Sequence, residues 1–170
     1  KQAEEELMQK EHRFRTIFEH SPISIWEEDF SDVHAEMERL RGEGVGDFGH
    51  YFEENPQDVT RFATLIHIID INETSFHFFG GKSKDDILSN LPTYFGGDAL
   101  PVFREELVSL SRGEISFEAE LSMLHPDRGK LMLQLNLHIV PGFEEDWSRV
   151  LASFVDITER KKAEEKLKKI

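Results

Sequence analysis

Cysteine is absent from the 170 residues. That excludes disulfides, thiol nucleophiles, cysteine metal sites and a flavin held through a cysteine adduct. Basic residues are scarce: 20 Lys and Arg stand against 34 Asp and Glu, a formal charge of −14. Nucleic acids and anionic membranes both need a basic face, so neither is an expected partner of this segment. The acidic balance serves solubility. No apolar run reaches the length of a bilayer-crossing helix, and no secretory leader is evident. The signatures H-E-x-x-H, G-x-x-x-x-G-K-[ST] and G-x-S-x-G are also missing, so no enzymatic activity is expected of the segment itself.

What is there supports a folded domain. Hydrophobic residues make up 38% of the chain and include 14 Phe, enough for a packed core. The length suits one domain with flanking elements. The chain begins at Lys1 and stops inside a helical pattern, so it reads as a segment of a longer protein.

Residues 1–20 form an amphipathic pattern in which Ala3, Leu7, Lys10, Phe14 and Ile17 follow a four-three spacing. This short seam serves either a helix lying on its own domain or one that pairs with a second chain. Ser21-Pro22 ends it, because the residue before proline avoids the α region. Residues 23–28, I-S-I-W-E-E, read as a strand.

A helical block follows over 31–61, with Ser31 as N-cap, Val33, Met37 and Leu40 on one face, and Pro56 in the first turn of a further helix. Gly44, Gly46 and Gly49 match G-x-G-x-x-G. A charged helix precedes them, where a dinucleotide fingerprint needs a strand, so a helix–helix turn is expected.

Residues 65–71 read as a buried strand from their β-branched content. Asn72 is placed to cap a helix that stops at Gly80-Gly81. Asn72-Glu73-Thr74 also spells a glycosylation sequon, discounted because nothing indicates secretion. Ser83 with Asp86 opens another short helix in a capping-box pattern. A longer helix begins around Pro101, with Val102, Phe103, Leu107 and Leu110 facing a core. Two alternating segments, 117–123 and 131–139, are joined by the turn His125-Pro126-Asp127-Arg128-Gly129, and a last strand spans 147–156. The element order is α+β with an antiparallel sheet.

Residues 150–162 hand a strand directly to a helix. Asp156 and Thr158 stand where they can accept from the free N–H groups of the helix's first turn. Asp156, Arg160, Ala163, Leu167 and Ile170 then repeat the four-three spacing of the N-terminal seam.

These stretches together resemble the PAS (sensory box) domains of bacterial and archaeal sensor proteins. Phe18-Glu19-His20-Ser21-Pro22-Ile23 is similar to the start of the first PAS strand. Ile69-Asp70-Ile71-Asn72, with Gly80 ending the next helix, resembles the second strand and its helix, and Ser83 to Leu88 the short helix after it. Asp156-Ile157-Thr158-Glu159-Arg160-Lys161 is similar to the family's exit motif, the most specific of these. The likeness covers 16–30 and 65–160. It departs at 31–64, where many PAS domains have only a tight turn.

The resemblance implies a five-stranded antiparallel sheet with helices on one face: a flanking helix over 1–20, a PAS domain over 21–158 with a helical insertion at 31–64, and the start of a signalling helix at 159–170. It implies a cytoplasmic sensory input module in a multidomain protein, most like a sensor histidine kinase of a two-component system. In that case any kinase (transferase) activity resides elsewhere in the parent. A diguanylate cyclase parent is one alternative, and a ligand-free dimerisation or interaction module another. The insertion would cover the cleft, extend a dimer contact or decorate an edge. Homodimerisation through the flanking helices, a small-molecule ligand in the cleft, and relay through Asp156, Ile157 and Thr158 are what the family likeness adds.

The expected apolar cleft lining is Ile25, Phe79, Phe103, Leu107, Leu133 and Leu135; the alternative is that these side chains only fill the core. Gln134, Asn136 and His138 share one strand face, turned to solvent by the clean alternation or else to the cleft. His67, His77 and His138 are the residues to weigh for haem. Only His77 sits on a helix beside the cleft, and a lone histidine is poor evidence, so haem is disfavoured and the cofactor is left unknown. Glu11-His12-Arg13-Phe14 faintly resembles a phosphoacceptor helix, yet it precedes the domain, and phosphotransfer there is disfavoured.

Overall fold

The structure, a computed structural model, describes residues 1–90, residue 94 and residues 99–169. Helix α1 (Gln2–His20) leads into strand β1 (Ser24–Asp29). Three helices follow: α2 (Ser31–Gly42), α3 (Phe48–Glu54) and α4 (Pro56–Ala63). Strand β2 (His67–Ile71), α5 (Glu73–Phe79), α6 (Lys84–Ser89) and α7 (Ala99–Ser111) come next. The chain closes with β3 (Ser116–His125), β4 (Gly129–Ile139), β5 (Val150–Asp156) and α8 (Thr158–Lys168).

The strands form one five-stranded antiparallel sheet in the order β2–β1–β5–β4–β3. β4 is the clearest product of alternation: Leu131, Leu133, Leu135, Leu137 and Ile139 are all buried, while Gln134 and Asn136 are half-exposed and His138 exposed on the opposite face. That opposite face carries the end of α1. The Arg149 guanidinium lies over the Phe14 ring, 4.6 Å from its centre, and pairs with Glu27 at 3.1 Å. Phe18 is buried, whereas Leu7, Met8 and Ile17 are exposed. The α1 pattern is thus divided: its last turns lie on the domain and its first turns are open.

Two apolar clusters fill the other face. One, around Trp26, Phe79, Ile87, Leu121, Met123, Leu133 and Phe154, lies beneath α5 and α6. The other unites Val33, Met37, Phe52 and Phe62 of the inserted helices with Leu107 and Leu110 of α7 and with Ile139 and Val150 of the sheet. A polar network stitches the insertion together: Glu36 pairs with both Arg39 and Arg61, and Asp58 receives hydrogen bonds from Arg61 and from the Tyr51 hydroxyl. The insertion is therefore part of the core, packed on α7 and on one end of the sheet.

Local departures from the expected elements have local causes. β2 is an edge strand with Ile69 45% exposed, not a buried one; β-branched residues report fit to a pleated surface, not central position. Ser31 is the first residue of α2, and the Asp29 carboxylate accepts from its N–H at 2.8 Å. β5 begins at Val150, not Trp147. Trp147 is buried with φ +57°, its carbonyl accepting from the Phe30 N–H at 2.8 Å and its ring edge-on to His34. A tryptophan in the left-handed region is strained, and its packing holds it there. Gly80 ends α5 as expected, at φ +73°. Ile170 of the expected C-terminal seam lies outside the described residues.

Candidate functional site

Between the sheet and the helices lies a cavity of about 510 Å³. Its floor is Leu135 and Leu137 of β4 with Ala152 and Phe154 of β5, and Trp26 rises from β1. Thr60 and Ala63 of α4 form one rim, and Leu100 and Phe103 of α7 the other. The volume falls within the range of small-molecule sites. Through α4, the insertion supplies one wall of this cleft.

Two acidic side chains project into these apolar walls. Glu28, two residues after Trp26, shares its strand face, and Glu106 lies on the apolar stripe of α7 between Phe103 and Leu110. They are 8% and 5% exposed. Among the described residues, neither carboxyl has a hydrogen-bond or ion-pair partner. Burial pushes the Glu28 carboxyl up to about 8. The Glu106 carboxyl is pushed well above the usual range, first by burial and then by the charge of Glu28. The β1–β2 register shifts between Glu27 and Glu28, an irregularity of the kind that re-aims side chains beside functional sites.

The expected lining residues separate into three groups. Phe103 and Leu135 line the cavity. Phe79, Leu107 and Leu133 are fully buried packing residues that do not reach it. Ile25 is half-buried and lies on the other sheet face, because it alternates with Trp26. His67, His77 and His138 are exposed, and none lines the cavity; His67 meets Asp32 at 2.8 Å. Sequence reading missed Trp26, Glu28 and Glu106. The available signal was Glu106 inside the 103–106–107–110 apolar stripe, and Glu28 in phase with Trp26.

The exit junction is tied to the sheet by side-chain and backbone hydrogen bonds. The Asp156 carboxylate accepts from the Thr158 N–H at 2.9 Å and from Arg128 at 2.8 Å. The Thr158 hydroxyl accepts from the Met132 N–H of β4 at 2.9 Å, and the Ile157 N–H donates to the Met132 carbonyl at 2.8 Å. Thr158 thus anchors the helix to β4 and does not cap its own first turn, the role expected of it. Burial alone would raise the Asp156 carboxyl, but the bonds from Thr158 and Arg128 hold it below the usual carboxylate range. One turn on, Lys161 pairs with Glu120 of β3 at 2.6 Å.

A second polar path joins the cavity to α1. The Trp26 indole N–H donates to the Ser24 hydroxyl at 3.2 Å, and the Ser24 and Ser75 hydroxyls bond at 2.8 Å. Ser75 in turn donates to the Asn72 side-chain oxygen at 2.7 Å. The Asn72 amide nitrogen donates to the carbonyls of Phe18 and Ile23, at 2.9 and 2.8 Å. Its oxygen also accepts from the Ile25 N–H at 3.0 Å. Asn72 precedes α5 as expected, but its fully buried side chain joins α1, β1 and α5 and does not cap the helix.

Solved structures share this fold. A domain of the sensory box sensor histidine kinase/response regulator from Geobacter sulfurreducens is 16% identical, with 88% of this chain and 96% of that chain covered at a TM-score of 0.53. The PAS domain of an HTR-like protein from Haloarcula marismortui is 15% identical, with 92% and 98% covered at a TM-score of 0.54. A LOV protein from Rhodobacter sphaeroides is 13% identical, with 88% and 68% covered at a TM-score of 0.55. The sequence matches no protein-family model and no curated protein. At these identities the likeness speaks to architecture. The fold is the PAS fold: an α+β domain on a five-stranded antiparallel sheet.

Proposed function

We propose that this chain is the sensory input module of a multidomain signalling protein of the sensor histidine kinase type. The observation that carries the reading is that β4 and β5 do two jobs at once. Their inward residues Leu135, Leu137, Ala152 and Phe154 floor the cavity, and their far ends hold the exit helix through Met132, Asp156 and Thr158. An occupant that shifts the floor biases the same strands that orient α8, with no flexible segment between them. The Trp26–Ser24–Ser75–Asn72 path gives the cavity wall a matching connection to the end of α1. Two neighbours of this fold come from proteins described as histidine kinases, one a sensory box sensor kinase and the other blue-light activated, which supports the choice of parent. In this reading the module works in the cytoplasm, and the catalytic output belongs to another part of the parent.

The test replaces Asp156 and Thr158 by Ala in the intact parent and measures autophosphorylation with and without stimulus. Basal or stimulated output should change. Identical output in both states would overturn the relay through this junction.

A second reading rests on exposed apolar residues of the flanking helices. Leu7, Met8 and Ile17 of α1 and Leu167 of α8 are 58–70% exposed. In that reading the module dimerises its parent and holds no ligand. Native mass spectrometry separates the two: a retained small molecule supports sensing, and an empty dimer supports the interaction role.

A further inference from the structure

We infer that the cavity binds a small organic cation, a protonated amine or quaternary ammonium with an apolar body, held between Glu28 and Glu106 against Trp26, Phe103 and Phe154. The inference rests on the proposed sensory role, since it names the chemistry of that site's ligand.

Burying a carboxyl without a partner is unfavourable, and burying two in one apolar cavity is more so. Leu, Ile or Phe in the same places would close the core without that cost. Glu28 and Glu106 are each more than nine-tenths buried, face the same space and have no partner among the described residues. What relieves them must bring positive charge or hydrogen-bond donors.

The rest of the lining narrows the chemistry. An anionic ligand would find no base to pair with, because Glu28 and Glu106 are the titratable residues among the described lining. A bare divalent ion needs more oxygen ligands than two carboxyls supply, and the described residues hold no group of three or more His, Cys, Asp or Glu placed for a metal. A wholly apolar ligand has no use for either carboxyl. Aromatic faces beside carboxylates are the surroundings that recognise ammonium groups. The Trp26 and Phe154 rings stand edge to face at 5.6 Å, so one wall offers an aromatic surface next to Glu28.

Binding moves a proton. In the empty cavity burial raises both carboxyls, Glu28 to about 8, so Glu28 holds its proton near neutral pH. A cation that enters favours the carboxylate, so an ammonium ion binds and a carboxylic proton leaves to buffer. The cation keeps its own protons, and charge balances. Affinity for a permanent cation should therefore rise with pH through the neutral range.

The test uses the full chain and three probes of one shape: phenethylammonium, phenethyl alcohol and phenylacetate, with benzyltrimethylammonium as the permanent cation. Isothermal titration in two buffers of different ionisation enthalpy counts the protons. The cations should bind, release protons at neutral pH, and outbind the alcohol by roughly tenfold or more. Phenylacetate should not bind. The variant E28Q/E106Q, checked for folding by circular dichroism, should lose that preference and the proton release. Equal binding of alcohol and cation, no binding by either cation, or an unchanged preference in the double variant would each overturn the inference. The sensory reading is judged separately in the intact parent. A bound cation that leaves output unchanged counts against sensing alone, and a neutral or anionic ligand that alters output counts against the cation alone.

Discussion

Glu28→Gln isolates the most consequential feature of the cavity, because the amide keeps the shape and cannot ionise. Folding raises the Glu28 carboxyl from 4.5 to about 8. A group whose pKa is raised on folding contributes stability below its unfolded value and loses it as pH climbs through the folded value. Between those limits the loss is about 1.4 kcal/mol per pH unit. From about pH 5 to about pH 8 the wild type should lose roughly 3 to 4 kcal/mol through this one group. Glu106, raised for the same first cause, acts with the same sign. Asp156, Asp58, Glu36 and Asp146 are held low, so they lose their contributions only as pH falls toward the acid range, outside this window. The assay is urea denaturation across that pH range, followed by the fluorescence of Trp26 and Trp147. Glu28→Gln should flatten the decline and leave the variant more stable than wild type by about 3 kcal/mol near pH 8. Glu106→Gln should flatten it further. If Glu28→Gln keeps the wild-type slope, Glu28 is ionised and solvated in the folded state, and its burial does not hold the proton.

Asn72→Ala removes the acceptor or donor of four buried or part-buried bonds and should cost ~3 kcal/mol or more, read as a fall in thermal midpoint with faster amide exchange at the end of α1. Thr158→Val leaves the Met132 N–H without its acceptor and should cost about 1 kcal/mol, with faster exchange confined to β4 near Met132 and the first turn of α8. Gly81→Ala would place a Cβ 2.4 Å from Cγ1 of the fully buried Ile87, and should destabilise by about 1–3 kcal/mol in chemical denaturation.

Much of the architecture follows from local pattern. The Leu131–Ile139 alternation needs only the pleat to bury one face, and it does so without exception. Gly80 and Ser83 mark helix boundaries through chemistry that involves neighbours only: a left-handed φ in one case, a side-chain bond to the Asp86 N–H in the other. Asn72 shows where such reasoning stops. Its position before a helix suggested a cap, but its bonds reach Phe18 and Ile23, residues that meet it only once β1 lies beside β2. Thr158 behaves likewise, turning from its own helix to β4.

The candidate site divides along the same line. Composition and periodicity alone determined that the chain folds, that it is α+β with an antiparallel sheet, and that a strand passes straight into the exit helix, because each depends on spacing within one element. Tertiary structure decided that the inserted helices form a core with α7 and wall the cleft, and that Phe79, Leu107 and Leu133 are filling while Phe103 and Leu135 face the cavity. It also decided that Glu28 and Glu106, far apart in the chain and ordinary in a strongly acidic sequence, share one buried space. A glutamate on a half-apolar stripe looks the same in sequence whether solvent or a partner helix lies above it. Only the packing of α7 and the inserted helices on the sheet takes both side chains out of bulk water, and that burial gives the pair its chemistry.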